Sequence, residues 1–157
     1  MRPESQLLLL SLQACRQRME KLQYSLDKNA SLFPLSADAV VGLSEEQEES
    51  IDALILRYSQ CVTMVQEQLF KGIAFLEQED ISDKSNRDKT LLMEKLGAIR
   101  SAEEFGTAAM LRNKFAHHYP EVTHARLDRL NMLPAEAAHV LETFQSIQHY
   151  LQAKKLI

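Results

Sequence analysis

From Leu8 onward, apolar side chains return at alternating steps of four and three: Leu8, Leu12, Cys15, Met19, Leu22 and Leu26. At about 3.6 residues per turn, that spacing puts all six on one stripe of a long helix. Nowhere does the chain show the alternate-residue pattern of a half-buried strand. A chain of this kind buries its apolar surface by laying helix stripes against one another. The first helix is predicted from about Ser5 to Ser31.

A second row, Ile51, Ile55, Tyr58, Val62, Val65, Leu69 and Leu76, predicts another long helix from Glu45 to about Gln78. Gly72 falls in the same row, where a neighbouring backbone can approach closely. Ser44 and Gln47 carry the capping-box pattern at its start. Residues 79–87 are polar and aperiodic, a connection before a shorter helix with Leu92, Leu96 and Ile99 and with Gly97 near its end. Ser101 and Glu104 repeat the capping pattern and open a helix from about Ala102 to His118. Pro120 stops it, because the residue before a proline is pushed out of the helical region. The last helix is predicted to begin with Pro134 in its first turn and to run through Ala137, Val140, Phe144, Ile147 and Leu151 to Lys154 and Lys155. The sum is an all-α chain, an antiparallel four- to five-helix bundle forming one domain over residues 1–157. A chain of 157 residues with 45% hydrophobic content can bury a core without metal or disulfide staples.

Cys15 and Cys61 lie inside helical patterns without a metal-ligand spacing, which predicts buried free thiols. The leucine run at residues 7–10 is too short for a signal-peptide core, and no long apolar segment follows, so a cytoplasmic protein without a membrane partner is expected. A formal net charge of −4 argues against coating nucleic acid through bulk electrostatics. The charge is segregated, however. Arg112, Lys114, Arg126 and Arg129 outnumber Glu121 and Asp128 between residues 112 and 130, whereas residues 45–49 read Glu-Glu-Gln-Glu-Glu. That distribution permits a small basic cleft on an acidic body.

Chemistry concentrates in residues 111–120, Leu-Arg-Asn-Lys-Phe-Ala-His-His-Tyr-Pro. Arg112 keeps its proton at neutral pH and offers phosphate a planar fork of donors, while His117 can exchange a proton near pH 7. The two stand about 140° apart on an ideal helix, so the arginine must reach round or the last turn must loosen. Asn113 and His117 stack at i and i+4, where the amide can orient the imidazole. The bland readings are a surface salt bridge for Arg112 and a tyrosine packed under the bundle end for Tyr119. His118 points elsewhere, and His124, His139 and His149 read as surface or packing positions without zinc spacing.

The pattern Arg-Asn-x-x-x-His-x-Tyr resembles the mark of the HEPN family of small helical proteins, Arg-x4-6-His with a polar residue after the arginine. The tyrosine two places on resembles, more narrowly, the HepT-like toxins of prokaryotic toxin–antitoxin pairs. The resemblance implies a metal-independent endoribonuclease that needs no cofactor, with Arg112 and His117 catalytic and Asn113 supporting. It implies an RNA substrate and a homodimer that brings two motifs to one cleft. It also implies a nucleotidyltransferase antitoxin that blocks the cleft by attaching AMP to Tyr119. Asp52 and Arg57 resemble the Asp and Arg that HepT-like sequences carry on the second helix, as supporting residues, although their spacing departs from an i,i+4 pair. The chain has no Gly-Ser followed by Asp-x-Asp and so is not itself the transferase. The other reading is a non-catalytic HEPN module that binds a nucleotide or docks a nucleotidyltransferase.

Overall fold

The computed structural model describes residues 2–116 and 123–156. Helix α1 (Pro3–Asn29) has proline at its first position, where the missing N–H costs nothing. It buries Leu8, Leu12, Cys15, Met19 and Leu22 as the stripe requires, then Ser25 and Asn29. Leu26 stays only partly buried. The buried face turns at this end because α3 (Glu45–Met64) supplies polar partners there. Asn29 Nδ2 donates to the Ser25 carbonyl at 2.8 Å and to the Ser50 carbonyl at 3.3 Å. Asn29 meets Ser50 and, further back on α1, Ser25 meets Arg57 further on in α3, so the two helices run antiparallel.

The predicted helix from Glu45 to Gln78 is not one uniform helix. Its start is as expected: the Ser44 hydroxyl accepts from the Gln47 amide at 3.1 Å, and Gln47 Oε1 accepts from the Ser44 amide at 2.9 Å. After Met64 the chain makes a wide π-helical turn, Val65–Leu69, before α4 (Phe70–Leu76). A π turn takes an extra residue, so the helix face rotates beyond it. The buried positions become Phe70, Ile73 and Ala74, and Leu76 is only partly covered. At Gly72 the close neighbour is a side chain and not a backbone: a Cβ there would lie 2.7 Å from Leu8 Cδ1.

A short helix, α2 (Ala37–Val41), precedes α3 and was not predicted. Helix α5 (Asn86–Leu96) is capped by the Ser85 hydroxyl and ends at Gly97, whose φ of 88° is the left-handed conformation of a helix C-cap. Ile99 lies beyond that end yet is buried. At the start of α6 (Ala102–Ala116) only half of the expected capping box forms. The Ser101 hydroxyl accepts from the Glu104 amide, but the Glu104 carboxylate turns to Arg100 at 2.9 Å, and Glu94 caps the Ala102 amide instead.

The largest correction is in α7 (Thr123–Ala153), which starts well before Pro134 and contains it in its interior. The proline removes the donor for the Leu130 carbonyl. Tertiary contacts outweigh this loss, because Leu130 and Leu133 are fully buried. Asn131 also exchanges two hydrogen bonds with the Leu35 backbone, at 2.7 and 2.9 Å. These contacts pin residues 30–43 over a small apolar cluster of Leu35, Val40, Ile51 and Leu130. The main core lies between α1, α3, α4, α6 and α7 and includes Tyr58, Phe105 and Phe70, the last two in an edge-to-face pair at 5.2 Å. The described residues form a helical bundle without a strand, and no helix among them is long and apolar enough to cross a membrane. Cys15 and Cys61 are free and buried.

Candidate functional site

Helix α6 buries Ala102, Phe105, Ala108 and Leu111, a row at steps of three. Arg112 follows Leu111 and sits at the edge of that row, half-buried, with its side chain turned toward α3. Its guanidinium donates from Nη1 to Thr63 Oγ1 at 2.9 Å, from Nη2 to Gln66 Oε1 at 2.9 Å, and from Nε to Asn113 Oδ1 at 3.0 Å. All three acceptors are neutral. Among the described residues no carboxylate pairs with it, so the group is fixed in orientation by neutral partners. Among the described residues these bonds leave one N–H on each terminal nitrogen without an acceptor, and a phosphate can accept from such a donor pair.

Gln66 is the residue the sequence did not point to. It is 6% exposed, lies within the π turn, and spends its amide oxygen on Arg112. Wide turns of this kind recur at functional sites because they re-aim side chains out of the helical register. The slip of the apolar row after Leu69, to Phe70, Ile73 and Ala74, is the signal that could have revealed it.

One turn before Arg112, the Ala108 carbonyl accepts from the buried Tyr58 hydroxyl at 2.5 Å. Burial pushes Tyr58 far above the usual phenol range; Glu136 adds to the shift and Arg112 opposes it. Tyr58 is therefore a neutral donor that braces α6 on α3. Glu136 is buried, with Oε1 3.2 Å from His139 Nδ1 and Oε2 without a hydrogen-bond partner among the described residues. His139, expected to stand alone, thus has a carboxylate beside it.

The structure brings Arg112 and Asn113 together, although Asn113 spends its oxygen on the arginine. His117, His118, Tyr119 and the helix stop at Pro120 lie outside the described residues. Arg57 is joined to α1 and not to Arg112. It donates to the Lys21 carbonyl at 3.2 Å and the Ser25 hydroxyl at 2.7 Å, and its guanidinium lies 5.9 Å from the Tyr24 ring centre. Asp52 is exposed near the start of α3. Desolvation raises its carboxyl above the usual range, Glu48 raises it further, and Arg126 opposes. Arg126 itself pairs with Glu48 at 2.9 Å, which removes one cation from the basic cleft that the sequence proposed. Among the described residues no three His, Cys, Asp or Glu side chains converge as a metal ion would need. Compared with protein-family models, curated proteins and solved structures, the chain matches none.

Proposed function

We propose that this chain is a metal-independent endoribonuclease of the HepT-like kind, the toxin of a toxin–antitoxin pair. The observation that carries the reading is Arg112. A guanidinium held by Thr63, Gln66 and Asn113, without a carboxylate among the described residues, is built for an incoming anion and not for a salt bridge. In this reading His117, five residues on, removes the proton from a ribose 2′-hydroxyl. The oxygen attacks the adjacent phosphorus, and Arg112 stabilises the charge that develops on the phosphorane. The P–O5′ bond breaks, the leaving oxygen takes up a proton, and a 2′,3′-cyclic phosphate remains. DNA lacks that internal nucleophile and is not cut.

One chain supplies one Arg–His pair, so the proposal includes a homodimer in which two motifs share a cleft. A partner nucleotidyltransferase would attach AMP to Tyr119, placing phosphate charge beside Arg112 and blocking RNA. The second reading, a non-catalytic HEPN module, uses the same arginine to hold a nucleotide. Expression without the partner separates the two. The nuclease reading expects growth inhibition that Arg112→Ala and His117→Ala each relieve at equal protein level. Undiminished inhibition by either variant rejects the assigned pair.

A further inference from the structure

Thr63, which accepts from Arg112, also lines an open depression of about 340 Å³ with Arg18, Ser59, Gln60 and Met64. Ser59 and Gln60 lie on one turn of α3 and Thr63 on the next, and Arg18 reaches in from α1. Among the described residues no carboxylate lines this depression. By contrast, the larger groove between α1 and α4 carries Glu4 and Glu67 beside Lys71, and the hollow at Arg57 carries Glu20. Arg18 is exposed and makes no ion pair among the described residues. Its charge is felt at the neighbouring Cys61. Two guanidinium groups, from α1 and α6, therefore border one strip of α3 that carries two hydroxyls, an amide and the Met64 thioether.

We propose that the Arg18 depression is a second phosphate subsite for single-stranded RNA, resting on the nuclease reading of Arg112. With the scissile phosphate at Arg112, the strand passes over Thr63 and sets a neighbouring phosphate against Arg18. Ser59 and Gln60 bond its oxygens or the ribose hydroxyl. The subsite makes longer RNA a better substrate than a dinucleotide, because only a longer strand reaches both arginines.

The test is binding of a 2′-O-methyl RNA oligomer, which cannot be cleaved, across a range of salt, beside cleavage of a dinucleotide. Replacing Arg18 by Gln is expected to weaken oligomer binding about tenfold at low salt and to reduce the salt slope by about 0.7, one single-strand phosphate contact. Dinucleotide cleavage should stay as in the parent. Lys21→Gln, the same charge change on the same helix but outside the depression, should leave the slope unchanged. If Lys21→Gln lowers the slope as much as Arg18→Gln, bulk charge explains the effect and the subsite is wrong. If Arg112→Gln weakens binding while Arg18→Gln does not, the subsite falls and the nuclease reading stands. If the parent binds no RNA, both fall.

Discussion

Arg112 differs from Arg57, Arg100 and Arg126 in its partners. Arg100 and Arg126 face carboxylates and Arg57 closes the seam between α1 and α3, whereas Arg112 rests on a hydroxyl and two amides. Gln66 acts as a positioning residue for it. Gln66→Leu keeps the buried volume and removes the acceptor, so the chain should fold as stably as the parent while losing about tenfold in the rate of RNA cleavage, with little change in KM. An unchanged rate would mean that the guanidinium needs no such support. The two thiols make a separate residue-scale prediction. Burial, and for Cys15 the proximity of Cys61, pushes both from 9.0 up to about 12. An unfolded chain ionises them above pH 9 while the folded chain does not, so their contribution to stability is intact below pH 9. It is lost toward pH 12 at about 1.4 kcal/mol per pH unit per thiol. Urea midpoints between pH 8 and 10.5 should fall more steeply for the parent than for Cys15→Ala/Cys61→Ala. Parallel declines would contradict this.

Among the elements, long apolar rows and short-range caps were the most legible. The row from Leu8 to Leu22 and the Ser44–Gln47 box predicted α1 and the start of α3 because both depend on residues within a turn or two of one another. Pro134 misled because proline is favoured in a first turn yet is tolerated inside a helix that Leu130, Asn131 and Leu133 hold from outside. The slip of the apolar row marks the π turn, but the pairing of Thr63 and Gln66 with Arg112 was not legible, because these acceptors lie far back in the chain and only packing brings them to the guanidinium. Two glycines test the reading of helix ends. Gly97 holds the left-handed C-cap of α5, so Gly97→Ala should cost about 1 kcal/mol. Gly106 is inside α6 with open space around it, so Gly106→Ala should add about 0.5–1 kcal/mol. Equal effects of the two changes, by chemical denaturation, would contradict the assigned conformations.

At the scale of the whole molecule, the bundle sets Arg112 at an edge where α6 meets α3, beside the Arg18 depression. The candidate site is thus partly legible in the sequence: Arg112 and Asn113 came from the motif, and Thr63, Gln66 and Arg18 came from the fold. The proposed homodimer makes its own prediction: sedimentation at micromolar concentration should give twice the 17.9 kDa chain mass. A monomer that cleaves RNA at full specific rate would contradict the shared cleft. The most direct test of the central claim is the cleavage rate of one labelled RNA by the parent, Arg112→Ala and His117→Ala, in excess chelator, with analysis of the new ends. The parent should leave 2′,3′-cyclic phosphate, and each variant should be slower by about a hundredfold or more. A parent that leaves RNA intact, or a variant that cuts as fast as the parent, would contradict the account.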